Sequence, residues 1–136
     1  MRRILVDLNV VLDVLLDRAP FVDAAASLWA LAEAGRVEAI LAAHSVTTLH
    51  YLVGRGRGRE FADRCLADIL TVFGVAAVDA SVLQQAAALR WSDFEDAVSA
   101  IAAQQAGCVA IVTRDGRFGR AGLPVLDPQA AVALHG

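Results

Sequence analysis

Short apolar runs alternate along this chain with longer stretches of helical period. Ile4–Val6 reads as a buried strand and Val10–Leu16 as a helix, after which Pro20 breaks the chain. Val22–Ala34 carries Ala25, Leu28, Trp29 and Ala32 at helical spacing, and Gly35 suits its end. Glu38–Ala42 predicts a second strand, and Ser45 a cap for a helix over Val46–Val53. The alternation Gly54-Arg55-Gly56-Arg57-Gly58-Arg59 reads as a loop, and Glu60–Phe73 as a helix stopped by Gly74. Val75–Val78 is a third strand, followed by a helix capped by Asp79 or Ser81 and running to about Trp91. Ser92 or Asp93 opens the next helix, through Gln105. Val109–Val112 and Pro124–Leu126 are strands four and five, and a last helix starts at Pro128 with Asp127 as its cap. Strands separated by helices imply a parallel α/β sheet covered on both faces. No repeat or composition shift divides the chain, so residues 1–136 are expected to form one domain.

The place where the first apolar run stops points to chemistry. Asp7 stands at the C-terminal end of the first strand, the edge at which parallel sheets bind ligands. A carboxylate there is costly unless paired, and a metal ion is a common partner. Asp93 and Asp96, three apart at a helix start, share a face, while Glu95 between them points elsewhere. Asp115 follows the fourth strand. If the first and fourth strands are neighbours, Asp7 and Asp115 meet at one sheet edge, and a helix starting nearby adds Asp96. Clustered carboxylates do not all ionise side by side without a cation. Hard cations such as Mg²⁺ and Mn²⁺ take such oxygen ligands, keep several waters and stabilise charge on a phosphodiester.

Each of these residues also has a plainer reading. Asp7 can be a buried Asp satisfied by backbone amides, Asp93 a helix cap, Asp96 a first-turn acid, and Asp115 a turn residue before Gly116. Asp13 and Asp17 read as solvated helix residues, and Trp29 as core or interface. His44 and His135 carry no usable signal.

Composition narrows the choices. All 12 basic residues are Arg, so Schiff-base chemistry and a Walker-type phosphate loop, which both need Lys, are excluded. A net charge of −3 argues against binding nucleic acid through overall charge, which leaves Arg55, Arg57 and Arg59 as the best basic patch, read equally as RNA or partner contact or as a mobile solvated loop. Cys65 and Cys108 lack zinc-site spacing and read as buried free thiols. Apolar residues make up 57%, which hints at surface left over for a partner. Without a signal peptide or a membrane span in the pattern, a cytoplasmic protein is expected.

Three segments resemble the motifs of PIN domains. Leu5-Val6-Asp7-Leu8-Asn9-Val10-Val11-Leu12-Asp13 is similar to their opening, Asp93-Phe94-Glu95-Asp96-Ala97 to the segment with their downstream acid, and Val112-Thr113-Arg114-Asp115 with Phe118 to their closing motif. The size resembles the stand-alone toxins of VapBC-type toxin–antitoxin pairs. The resemblance implies a three-layer α/β/α sandwich with a parallel sheet of about five strands. It implies a Mg²⁺- or Mn²⁺-dependent ribonuclease acting on RNA, a cognate antitoxin and a homodimer. It carries Asp7 and Asp96 over as metal ligands, Asp115 as a weaker, outer-shell acid, and Asp93 as an extra acid. Asn9 and Thr113 carry over in support.

The chain departs from the pattern on the helix after the second strand. PIN domains usually carry a Glu there, whereas Ser45-Val46-Thr47-Thr48-Leu49-His50-Tyr51 has no acid and places His50 near that position. One fewer negative charge weakens metal binding, which keeps open a catalytically inactive PIN fold used for binding. A further alternative is a haloacid-dehalogenase-like phosphatase, since Asp7-Leu8-Asn9-Val10-Val11 loosely resembles that opening motif. Its second acid would be Asn9, and its phosphate-holding Lys is absent.

Overall fold

A computed structural model describes residues 2–115, 118 and 122–136. Its strands are β1 (Arg3–Val6), β2 (Glu38–Ala42), β3 (Gly74–Ala76), β4 (Ala110–Val112) and β5 (Val125–Leu126). They form one parallel sheet in the order β3-β2-β1-β4-β5. The central strand β1 pairs with β2 on one side and β4 on the other, so Ile4, Leu5 and Val6 are buried on both faces.

Successive strand residues point to opposite faces, and the core divides accordingly. Ile4, Val6, Ala39, Leu41, Ala110 and Val112 face helices α1 (Leu8–Leu15), α2 (Val22–Glu33), α3 (Ala43–Arg57), α4 (Arg59–Val72) and α7 (Pro128–His135). Leu5, Ile40, Ala42 and Ile111 face α5 (Ala80–Leu89) and α6 (Phe94–Gln105). This is the expected three-layer sandwich. Trp29 packs edge-on against Phe73 at 5.0 Å, which makes it a core residue, and Phe118 of the closing motif is buried against Trp91. Both cysteines are buried free thiols. Among the described residues no helix is long and apolar enough to cross a membrane.

Two helix boundaries depart from the sequence reading. α1 starts at Leu8 rather than Val10, because Asp7 itself is the cap: its carboxylate accepts the Leu8 N–H at 2.8 Å. α3 runs from Ala43 to Arg57, so Ser45 is a buried first-turn residue and not a cap, and Gly54–Arg57 is helix and not loop. Packing overrides the weak helix preference of glycine here. Gly54 faces Ala62 of α4, where an added Cβ would lie at an ordinary contact distance of 3.7 Å, so helical packing tolerates the glycine there. The chain breaks only at Gly58, whose φ of 89° is the left-handed region glycine tolerates. The turn expected at Gly116 lies outside the described residues.

Candidate active site

Pairing of β1 with β4 extends one step past the strands, where the Asp7 N–H donates to the Val112 carbonyl at 2.8 Å. That places Asp7 beside Thr113 at the C-terminal edge of the sheet. The Thr113 hydroxyl donates to Asp7 Oδ2 at 2.8 Å and accepts from Asn9 Nδ2 at 3.3 Å and from the Asp115 N–H at 3.0 Å. A hydroxyl has one proton and two lone pairs, so Thr113 is saturated and locks Asp7, Asn9 and Asp115 into one constellation. Asp7 is 6% exposed, and both its oxygens are fixed by donors.

α6 brings the remaining acids. Asp93 caps it, its Oδ1 accepting the Asp96 N–H at 3.1 Å, so the capping role and the place in the site coexist. Ser92, Asp93, Phe94, Asp96 and Asp115 line an open cleft of about 350 Å³. Burial pushes the Asp96 carboxyl from 3.8 up to about 7, with the charges of Asp7, Asp93, Asp115 and Glu95 adding to the effect. Burial also raises Asp7; the hydrogen bonds from Thr113 and Leu8 oppose this, and Asp115 and Glu95 reinforce it.

The strain on Asp96 has a measurable sign. Its carboxyl in the folded protein holds a proton that the unfolded chain, at its ordinary value of 3.8, releases. Stability from this group is therefore full below 3.8 and is lost as pH rises toward about 7. Asp96 is only half-buried, so solvent screening reduces the cost of ionising it to about 1–2 kcal/mol. In chelator, the protein is expected to melt lower at pH 8 than at pH 5.5, and Asp96→Asn to flatten that slope. Thermal unfolding across pH measures both, and an unchanged slope in the variant would assign the effect elsewhere.

Among the described residues, no three His, Cys, Asp or Glu side chains converge closely enough to enclose a metal ion on their own. A magnesium-like cation does not need such a cage, because it keeps several waters and binds through one or two carboxylates. The donor set fits that mode. Asp7 is preoriented, Asp96 is destabilised by neighbouring negative charge, and the buried Asn9 Oδ1 has no hydrogen-bond partner.

Other expected residues lie elsewhere. His50 is not brought to the cleft: its Nε2 lies 2.7 Å from Asp63 Oδ1 and ties α3 to α4. His44, which carried no sequence signal, is the histidine near the acids. Its Nε2 lies 3.3 Å from the Glu95 carbonyl oxygen, in the first turn of α6. Its position directly after β2, at the ligand-binding edge of the sheet, is the signal that finds it. Arg55, Arg57 and Arg59 are exposed around the α3–α4 turn, roughly 20 Å along α3 from His44 to Arg57. Arg57 stacks 4.3 Å from the Phe61 ring, and Arg59 pairs with Asp63 at 3.7 Å. Asp13 corrects the reading of a solvated residue: it is 0% exposed and holds Arg18 and Arg114.

A parallel sheet with acids gathered at its C-terminal edge is the design of a PIN domain. The PIN-domain family model matches residues 3–117, and the chain belongs to this family. No curated protein sequence matches it closely. Among solved structures it is similar to Mycobacterium tuberculosis VapC20, a sarcin–ricin loop cleaving toxin, at 24% identity and a TM-score of 0.72 over 88% of this chain and 95% of that one. It is also similar to VapBC2 of Rickettsia felis, solved with a promoter DNA fragment, at 15% identity and a TM-score of 0.70 over 92% and 98%. FitAcB of Neisseria gonorrhoeae matches at 20% identity and a TM-score of 0.67 over 92% and 97%. At these identities the likenesses establish the fold. The family membership removes the phosphatase alternative.

Proposed function

We propose that this PIN domain, residues 1–136, is a divalent-cation-dependent endoribonuclease and the toxin of a toxin–antitoxin pair. The observation that carries the reading is the acidic cleft at the sheet edge, with Asp7 locked by Thr113 and faced by Asp96. Likeness in fold to the toxin VapC20, to VapBC2 and to FitAcB supports it. Its partners are then an RNA substrate, a cognate antitoxin and a second copy of the chain, in the cytoplasm. Leu70 and Leu134, both more than half exposed, offer apolar surface for such protein partners.

Asp7 and Asp96 would hold the cation, Mg²⁺ or Mn²⁺, with Asp93 and Asp115 as outer acids. The bound cation supplies charge neutralisation at the phosphodiester and an activated water. Thr113 and the Leu8 N–H keep Asp7 in one orientation, and Asn9 holds Thr113 in turn. Phe94, 49% exposed, lines the cleft as an aromatic side chain for base stacking.

The test is cleavage of labelled unpaired and hairpin RNAs with Mg²⁺, with Mn²⁺ and with chelator. Cleavage in either metal, stopped by chelator, is the expected result. No acid of α3 reaches the cleft among the described residues, which is the observation favouring a binding-only PIN fold. Absence of cleavage on every RNA, with no shift in melting temperature on adding Mn²⁺, would favour that second reading.

A further inference from the structure

Asp13 gathers two arginines around one buried carboxylate. Arg18 Nε donates to its Oδ1 at 2.9 Å, and Arg114 donates Nε to Oδ2 at 2.7 Å and Nη2 to Oδ1 at 3.1 Å. Two positive charges share one negative, so the cluster keeps an excess of one positive charge. Neither guanidinium is sealed from water: their side chains are 38% and 30% exposed. Arg114 is held rigidly, by its two-pronged bond to Asp13 and by stacking at 4.0 Å from the Phe21 ring centroid. Its Nη1 has no hydrogen-bond partner among the described residues.

The position of this cation matters more than its charge. Arg114 lies in the chain between Thr113 and Asp115, both part of the acidic site, at about 3.8 Å per Cα step. Asp115 lines the acidic cleft, while its chain neighbour Arg114 lines another hollow with Phe21 and Asp127. Asp127 caps α7, its Oδ1 accepting the Ala130 N–H at 2.7 Å, and its negative charge in the same hollow offsets part of the cluster's positive excess. An acidic cleft repels a polyanion, so a substrate with a chain of phosphates needs a fixed cation next to it. A planar, preorganised guanidinium with a free donor edge is the group best suited to phosphate.

We propose that Arg114, clamped by Asp13 and backed by Arg18, is a phosphate-binding subsite that seats the RNA backbone beside the scissile bond. This rests on the nuclease reading. Asp13 is then a positioning residue: it never meets the substrate and acts by aiming Arg114.

The test measures binding without cleavage. The Asp7→Asn protein is titrated in Mg²⁺ with a short fluorescein-labelled RNA, and its affinity followed against salt. Adding Arg114→Gln is expected to weaken binding about tenfold, the worth of one charge-assisted hydrogen bond. It is also expected to lower the slope of log affinity on log salt by about 0.7–0.9, one phosphate contact. Arg114→Lys keeps the charge and should keep the slope while losing part of the affinity. Asp13 retains Arg18 in these variants, so melting temperature serves as a check that the fold persists. Equal affinity and slope for Asp7→Asn with and without Arg114→Gln overturns the subsite and leaves the nuclease reading standing. If the Asp7→Asn protein binds no RNA and the wild type cleaves none, the nuclease reading fails and the subsite with it.

Discussion

Asp7→Asn is expected to remove RNA cleavage by at least about a hundredfold while leaving the protein folded. Loss of an outer partner of a metal ligand costs about ten- to a hundredfold, and loss of the ligand's own charge should cost more. The fold should survive because Asn keeps an oxygen for the Leu8 N–H, which Asp7 now accepts at 2.8 Å, and loses only the bond from the Thr113 hydroxyl. It also removes one of the negative charges crowding Asp96. The metal-free variant should therefore melt no lower than wild type at pH 8, while its stabilisation by Mn²⁺ shrinks. Asp96→Asn should behave alike. Thr113→Val separates orientation from charge. It keeps the shape but takes away the donor to Asp7 Oδ2 and the acceptor for Asn9 and the Asp115 N–H. It is expected to lower the rate about ten- to a hundredfold, with Mn²⁺ binding weakened and not abolished. Initial rates in Mn²⁺ beside melting curves measure all three. Cleavage by Asp7→Asn within about tenfold of wild type would place the reaction elsewhere.

The acids were legible because each sits at an element boundary that the apolar pattern marks. Asp7 ends a strand, Asp93 and Asp96 open a helix, and Asp115 follows a strand; bringing them together needed β1 beside β4 and α6 starting at the same edge. Residues inside helices were harder. His50 stands near the family's acidic position in the sequence, yet the histidine that reaches α6 is His44. Six residues of helix turn by about 240°, so the two cannot share a face, and His50 turns to Asp63 on α4. The Gly-Arg alternation has a loop's local preference, yet Gly54–Arg57 is helix because α3 packs along α4, with Gly54 facing Ala62. Arg114 and Asp13 are 101 residues apart, and no local pattern announces such a pair.

Loss of the Asp13 carboxylate is expected to cost the fold heavily. α1 reads Leu8-Asn9-Val10-Val11-Leu12-Asp13-Val14-Leu15, and a lone charge in so apolar a helix is a buried charge with partners. Its side chain fastens three pieces of chain: α1 itself, the turn at Arg18, and the segment after β4 through Arg114. The Arg18 N–H also donates to the Asp13 carbonyl at 2.9 Å, so backbone and side chain hold the same turn. Removing one partner of a buried ion pair costs about 3–5 kcal/mol when the other charge is trapped. Here both guanidiniums can swing into water, so Asp13→Ala should fall at the lower end, about 3 kcal/mol, or about 6–12 °C in melting temperature. Asp13→Leu does not rescue it, because an apolar side chain leaves both arginines without an acceptor. Asp13→Asn, which keeps an acceptor oxygen, should lose less. Stabilisation by Mn²⁺ should persist in any Asp13 variant that still folds, since Asp13 does not line the acidic cleft. Urea unfolding with and without Mn²⁺ measures both effects. An Asp13→Ala protein with the wild-type midpoint would show that the carboxylate is dispensable and that β4 and α1 hold the segment by packing alone.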